Sequence, residues 1–170
     1  MKALIFDKTE WEKLKAVCER GYPKEVCGLL FGKPGGNGNA EDNKVVKIEA
    51  LENVLDGKHS LRLEELMKVG AVSINAERAG KGGYFEFLID PREHYEKTAK
   101  ASAEGLDQIG VFHSHPDHPA VPSPTDASQP YLAGWSNIIV AVHRGKFNEA
   151  RSWTREKEDS SFQEEKILVE

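Results

Sequence analysis

Two imidazoles, a hydroxyl and a carboxylate lie within a short stretch of the chain. His113 and His115 are separated by one residue, and the pattern Ser-x-x-Asp runs from Ser123 to Asp126. Catalytic zinc sites take three protein ligands and keep one position open, whereas structural zinc sites close with four ligands that are usually rich in cysteine. The pattern therefore predicts a hydrolytic metal site rather than a structural one.

The spacing of the two histidines predicts that a strand positions them. In the segment 108–115, the two-residue period of a strand puts four side chains on one face: Ile109, Val111, His113 and His115. The imidazoles are therefore expected to converge where the strand leaves the core. Prolines at 116, 119, 122 and 124 then end the strand and stiffen the loop that carries Asp126.

Simpler interpretations apply to parts of this pattern. A His-x-His pair alone is weak evidence, because most such pairs are incidental. Ser123 is also typical of the N-cap of a short helix over 124–131, and capping alone would account for it. Both functions are compatible, since an aspartate in the first turn of that helix can still bind a metal.

Glu25 is the candidate general base. Metal-assisted hydrolysis needs a group that takes a proton from water and passes it to the leaving amine. Glu25 directly precedes the apolar run 26–32, which predicts a strand covered on both faces. A carboxylate there is expected in a partly desolvated pocket, where its pKa rises. The alternative is an ordinary exposed glutamate.

Other residues near these motifs have weaker assignments. Ser114 lies on the opposite strand face from the imidazoles, and we expect it to support the site rather than to act as a nucleophile. Cys27 is expected to be structural, because a thiolate ligand would close the open metal position. Asp117 and His118 either contact substrate or are solvated loop residues.

The remaining patterns predict a mixed chain of strands and helices. Predicted strands lie at 3–6, 26–32, 44–51, 84–89, 108–115, 137–142, 149–154 and 162–169. One helix is predicted to begin with a capping box at Thr9, and another with Asp90 as its N-cap. A weaker helix over 60–76 is interrupted by Gly70, and the glycine-rich run 32–39 predicts a hairpin connection.

Length and composition exclude several classes of function. The chain has 170 residues, enough for one domain, and a formal net charge of -5, so nothing indicates nucleic-acid binding. Its first apolar run ends at Asp7, too short for a signal peptide or a membrane span. Two cysteines, Cys18 and Cys27, are too few for a disulfide scaffold. We therefore expect a cytoplasmic protein without nucleic-acid or membrane partners.

Together these motifs resemble the JAMM, or MPN-domain, metalloproteases. The run Tyr-Pro-Lys-Glu-Val-Cys-Gly-Leu-Leu-Phe-Gly at 22–32 precedes His-Ser-His-Pro at 113–116 and Ser-x-x-Asp at 123–126. The family pattern is an upstream glutamate, then His-Ser/Thr-His-Pro, then Ser-x-x-Asp at the same spacing, and every part is present. Agreement extends through 52–54, 85–91, 117–120 and 150–153, and is greatest with small stand-alone prokaryotic members.

The resemblance implies a role for each motif residue. By it, the ligands of a zinc ion are His113, His115 and Asp126. Glu25 is the general acid and base acting through a zinc-activated water, and Ser123 helps to stabilise the tetrahedral oxyanion. Family members hydrolyse peptide or isopeptide bonds that follow the C-terminal Gly-Gly of ubiquitin-like or sulfur-carrier proteins, so such a protein is the expected substrate.

The resemblance also implies the fold, an α/β architecture with a mixed, curved central β-sheet flanked by helices, of the cytidine-deaminase-like MPN/JAMM type. Residues 1–170 would form a single metalloprotease domain with an insertion at about 54–83, longer than the connection in compact relatives. We hypothesise that this insertion flanks the substrate groove, because it lies between 53 and the strand predicted near Phe85. The natural substrate and the oligomeric state stay open.

Two other functions use the same residues. Two histidines and one carboxylate also form the facial triad of non-haem iron oxygenases, in which Glu25 and Ser123 would be idle. A non-catalytic scaffold is the third possibility, although scaffolds of the wider family typically lose metal ligands. Metal analysis separates the first two, since an oxygenase contains iron and the hydrolase contains zinc.

Overall fold

A computed structural model of the protein describes residues 2–35, 42–56, 60–70, 83, 87–129 and 131–170. Within these ranges the chain forms seven strands and four helices. The strands are β1 (Ala3–Phe6), β2 (Cys27–Pro34), β3 (Asn43–Leu51), β4 (Asp107–Pro116), β5 (Ser136–His143), β6 (Lys146–Thr154) and β7 (Gln163–Val169). The helices are α1 (Lys8–Gly21), α2 (Ser60–Lys68), α3 (Pro91–Ala103) and α4 (Pro124–Ser128).

The seven strands form one mixed sheet that closes on itself. Their order is β1-β3-β2-β4-β5-β6-β7, and β7 pairs with β1 in parallel. The predicted mixed sheet with flanking helices is therefore confirmed, but the sheet closes as a barrel instead of remaining an open curved layer. The reason is that β1 is buried along its whole length and takes backbone partners on both sides, from β3 and from β7, which leaves no open edge there.

Helix α1 packs into the main hydrophobic core. That core receives side chains from all seven strands, and Leu14 and Cys18 of α1 are fully buried in it. The helix begins two residues earlier than a capping box at Thr9 predicts. Its N-cap is Asp7, whose Oδ1 accepts a hydrogen bond of 2.9 Å from the Glu10 backbone N–H. The prediction of Thr9 is wrong because Asp7, still extended after β1, already provides the cap.

A β-bulge in β4 changes which residues share a face with the histidines. Strand β2 pairs Leu30 with Gly110 and Phe31 with Gln108, so Ile109 is an extra residue between the two pairs. Ile109 packs in the main core, whereas Val111 packs in a second cluster that includes Ala101 of α3. The prediction that Ile109 shares the face of Val111 is therefore wrong.

The part of the predicted insertion that the structure describes packs against the body of the protein. Leu63 and Leu66 of α2 are buried against Val54 and Leu55. The Arg62 guanidinium lies 2.5 Å from the carboxylate of Asp90, which is the N-cap of α3 as predicted. Residues 71–76 of the predicted second helix, 84–86 of the strand 84–89 and 36–39 of the hairpin lie outside the described residues. None of the described helices is long and apolar enough to traverse a lipid bilayer.

Candidate metal centre and cleft

The structure brings the three predicted ligands to one point. Nε2 of His113 lies 3.0 Å from Nε2 of His115 and 3.2 Å from Oδ1 of Asp126, and Nε2 of His115 lies 3.4 Å from Oδ2 of Asp126. All three residues are buried. Ligand atoms about 2.0–2.1 Å from a tetrahedrally coordinated ion lie about 3.3 Å apart, which matches these distances. Among the described residues, no other group of three or more His, Cys, Asp or Glu side chains lies close enough together to hold a metal ion.

Each imidazole is oriented by a neighbouring group. Nδ1 of His115 lies 2.8 Å from the carbonyl oxygen of Pro119. Because a carbonyl can only accept, Nδ1 carries a proton, so in the neutral ring Nε2 presents its lone pair to the centre. The ring of His113 packs against Phe87, with ring centroids 4.8 Å apart. Both imidazoles therefore face the same point with little freedom to rotate.

A capping box holds the Asp126 carboxylate. The Ser123 backbone N–H donates to Oδ2 of Asp126 at 2.7 Å, and the Asp126 backbone N–H donates to Oγ of Ser123 at 3.1 Å. Ser123 is thus the N-cap of α4, as predicted, although the helix ends at Ser128 rather than at 131. The cap and the aspartate act as one unit, because each fixes the other.

The charge states at this point suit a cation. Burial would raise the pKa of Asp126, but its contacts with the two imidazoles and the hydrogen bond from the Ser123 N–H hold it well below its usual range. Burial lowers the pKa of His113 and so favours its neutral form. Burial opposes protonation of His115 as well, yet its contacts with Asp126 and the Pro119 carbonyl leave its pKa raised overall. An ionised carboxylate and an unprotonated imidazole are what a metal ion requires.

Glu25 is buried at the cleft beside this centre. It lies two residues before β2, only 8% of its surface is exposed, and it lines the same cavity as His115 and Ser123. Its backbone N–H donates to the Gly83 carbonyl at 2.8 Å, and its own carbonyl accepts from Nδ2 of Asn53 at 3.1 Å. The alternative of an ordinary exposed glutamate is therefore wrong.

Ser114 points away from the imidazoles and holds the strand next to Glu25. Its Oγ accepts a hydrogen bond of 2.8 Å from the Val26 backbone N–H, and its own N–H donates to the Val26 carbonyl at 2.9 Å. This double contact agrees with the predicted supporting role. It links the strand that carries the histidines directly to the residue that follows the candidate base.

Asn53 is a buried residue at the site that sequence reasoning missed. Besides its contact with Glu25, its Oδ1 accepts from the backbone N–H groups of Leu55 and Leu88, each at 3.1 Å. One amide side chain thus joins three separate segments. The available signal was a polar residue two positions beyond the end of a strand, which does not indicate its partners.

The cleft has an apolar wall. Its volume is about 550 Å³, and it is lined by Glu25, His115, His118, Pro119, Val121, Pro122 and Ser123. A second cavity of about 570 Å³, at the other end of β4, contains none of these groups, so size alone does not identify the site. His118 faces the cleft, whereas the Asp117 carboxylate accepts from the Tyr22 hydroxyl and the Arg144 N–H and stabilises a turn.

Cys27 is a core residue rather than a ligand. It is fully buried in the second cluster, opposite His113 in the β2–β4 pairing. Burial raises the pKa of its thiol far above the usual range, so the thiol stays protonated. This agrees with the predicted structural role.

Comparison with known families identifies the chain's relatives. Residues 8–156 match the model of prokaryotic homologues of the JAB domain. The chain belongs to this family. A desampylase of Pyrococcus furiosus is 28% identical over 146 residues, which cover 86% of this chain and 76% of the relative. A desampylase of Haloferax volcanii is 30% identical over 84 residues, which cover 49% of this chain and 56% of the relative.

Two solved structures share the fold of this chain. A solution structure of a protein from Salinibacter ruber has a TM-score of 0.63 and 28% identity, and the match covers 100% of this chain and 92% of that one. A solution structure from Desulfitobacterium hafniense has a TM-score of 0.69 at 24% identity and covers 98% and 92%. The predicted membership of the JAMM/MPN family, among its prokaryotic homologues, is confirmed.

Proposed function

We propose that this JAB-family protein is a zinc-dependent peptidase or isopeptidase. Its substrate would be a ubiquitin-like or sulfur-carrier protein, cleaved after the C-terminal Gly-Gly. The observation that carries the proposal is the convergence of three ligand atoms, 3.0–3.4 Å apart, on a cleft that also contains Glu25 and Ser123. Two relatives named desampylase support a hydrolase of protein conjugates.

The donor set fits zinc. Two imidazole nitrogens and one ionised carboxylate are ligands that this ion prefers, and their spacing matches a tetrahedral site with one position left for water or substrate. The residues that would hold the ion are His113, His115 and Asp126. When bound, zinc supplies Lewis acidity, which lowers the pKa of water to about 7 and polarises a substrate carbonyl.

Glu25 and Ser123 have different tasks in the proposed reaction. Glu25 takes a proton from the attacking water and delivers it to the leaving amine, and its burial keeps the carboxylate within the cleft. Ser123 accepts a hydrogen bond at Oγ from the Asp126 N–H, which leaves its hydroxyl proton to donate to the developing oxyanion. No covalent intermediate is required.

The shape of the cleft suggests how the substrate is chosen. Pro119, Val121 and Pro122 form an apolar wall, against which an extended Gly-Gly segment can lie. We further propose that the insertion at 54–83 borders this groove, since the carbonyl of Gly83 accepts from the Glu25 N–H. Deleting residues 56–82 should then impair cleavage of a protein substrate, and unchanged cleavage would count against the insertion's role.

Neither alternative function is favoured. An iron oxygenase would have no use for a buried Glu25 and a Ser123 hydroxyl in the same cleft, and the family relationship points to hydrolases. A scaffold would have no need to retain the three ligands. Bound iron together with oxygen-dependent turnover would instead support the oxygenase hypothesis.

The decisive experiment compares the zinc-loaded protein with its Glu25→Gln variant. Ubiquitin-like carrier proteins with C-terminal extensions after Gly-Gly serve as substrates. We expect cleavage by the wild type and a loss of about 10²–10⁴-fold in the variant, because general acid–base catalysis typically contributes that much. Zinc content should be equal in both proteins. Retained activity in the variant would refute Glu25 as the base.

A further inference from the structure

A buried arginine donates hydrogen bonds to the C-terminal end of the helix that carries Asp126. Arg155, the residue after β6, is only 6% exposed. Its Nη2 donates to the Ala127 carbonyl at 2.5 Å, and its Nη1 donates to the carbonyls of Gln129 and Glu158 at 3.3 and 3.1 Å. Two of these three acceptors lie within three residues of Asp126.

Helix α4 needs such a contact. It has only five residues, too few to be stable alone, and the last carbonyls of a helix have no partner within it. Ser123 caps its beginning and Arg155 binds the carbonyls at and beyond its end. The position of the Asp126 carboxylate is therefore defined from both ends of the helix. Of these two contacts, only the Ser123 cap belongs to the Ser-x-x-Asp motif.

Arg155 also supports the back of the metal centre through aromatic rings. Its guanidinium lies 4.0 Å from the centroid of the Phe162 ring, which in turn contacts Tyr131 with centroids 5.8 Å apart. Both rings line a small cavity directly behind His113 and Asp126. Loss of the Arg155 guanidinium can thus displace the ligands in two ways, through the backbone of α4 and through the Phe162–Tyr131 pair.

We propose that Arg155 is a positioning residue that sets the geometry of the Asp126 carboxylate and thereby the affinity of the centre for metal. This rests on the proposed function in that Asp126 is taken as a zinc ligand. A guanidinium suits the task because its donors form a rigid planar fork that reaches several carbonyls at once, whereas a lysine ammonium is a compact point charge on a flexible stem.

The test measures zinc affinity by competition with a chromophoric chelator in the full-length protein. Arg155→Met should weaken zinc binding by about 10–100-fold, the range found when an outer contact of a metal ligand is lost, and Arg155→Lys should fall between it and the wild type. The matched control is Arg92→Met, because the exposed guanidinium of Arg92 on α3 pairs with Glu65 of α2 instead of α4. The control should stay within about twofold of the wild type.

A second readout separates positioning from general stability. The visible absorption spectrum of the cobalt-substituted protein reports ligand geometry and should change in Arg155→Met but not in Arg92→Met. If Arg155→Met melts earlier yet binds zinc like the wild type with the same cobalt spectrum, the inference is overturned. If it does not fold, Arg155→Lys decides, and wild-type zinc affinity there overturns the inference. A wild type that binds no zinc would instead refute the proposed function.

Discussion

The two sides of the cleft are built in different ways. On the metal side, the hydrogen bonds of the ligands to their nearest neighbours are local, because the Pro119 carbonyl accepts from His115, and Ser123 and Asp126 cap each other. Phe87 and Arg155 add contacts from more distant segments. On the base side, the segment at Glu25 is held by three residues far along the chain: Asn53, Gly83 and Ser114. The metal side is thus shaped largely by its own local sequence, whereas the base side is placed only when distant segments pack together.

This difference predicts two kinds of failure. A substitution on the metal side should lower zinc affinity, and activity should fall with it. A substitution on the base side should lower kcat while zinc stays bound, because the three ligands and their nearest contacts are untouched. Zinc affinity and kcat, measured on the same variants, therefore separate the two sides.

The largest effect is expected from His115→Ala. The variant loses one of three ligands, so zinc affinity should fall by more than the roughly 100-fold that loss of a supporting contact costs, and cleavage should be undetectable. The matched control is His94→Ala, because His94 of α3 bonds only to Gln108 in a part of the sheet remote from the centre. Zinc binding by His115→Ala within about twofold of the wild type would contradict the geometry of the metal side.

Ser123→Ala should have the next largest effect and should lower both kcat and zinc affinity. Loss of a donor to the oxyanion typically lowers kcat by about 10²–10³-fold, and loss of the N-cap should lower the free energy of unfolding by about 1 kcal/mol. Zinc affinity should also fall, since the cap helps to orient Asp126. Ser128→Ala in the same helix is the control, because its exposed hydroxyl bonds only to the Thr125 carbonyl. Equal kcat in the two variants would exclude Ser123 from catalysis.

The same contrast explains what could be predicted from the sequence. The pairing of Ser123 with Asp126 follows a local capping pattern, and the convergence of the two histidines follows from the period of a strand. Ile109 was misplaced because a bulge depends on the register with β2, which no local pattern shows. Asn53 and Arg155 were missed because their partners lie in other segments, so only the folded chain shows them.

The fold shows the same limit. Seven of the eight predicted strands are present, but the described residues 87–89 of the predicted strand 84–89 form only a single bridge, between Ile89 and Asn53. The N-cap at Asp90 followed from its position before Pro91. Closure of the sheet did not follow, because it depends on β1 and β7, from opposite ends of the chain, meeting side by side. Local chemistry predicts elements and caps, whereas pairings between distant segments decide how the sheet closes and where Glu25 lies.

Asn53→Ala tests the base side directly. The backbone N–H groups of Leu55 and Leu88 lose their acceptor, and an unsatisfied buried group costs about 1–3 kcal/mol. A shift of Glu25 by about 1 Å should lower kcat by up to about 100-fold, and zinc affinity should be unchanged. Asn148→Ala, an exposed asparagine on β6, controls for the substitution itself. A fall in zinc affinity equal to the fall in kcat would show that the two sides are not separable.

The smallest and most selective effect is expected from Ser114→Ala. Its Oγ is the acceptor for the Val26 N–H, so its loss should cost about 1 kcal/mol of stability and lower kcat only a few-fold. Ser114→Thr keeps the hydroxyl and should restore wild-type kcat, as the family pattern with serine or threonine at this position implies. Ser114 lies between the two histidines, yet its side chain serves the base side. If Ser114→Ala lowers zinc affinity rather than kcat, Ser114 acts mainly on the neighbouring histidines and not on the segment at Glu25. The metal side and the base side would then not be independent at β4.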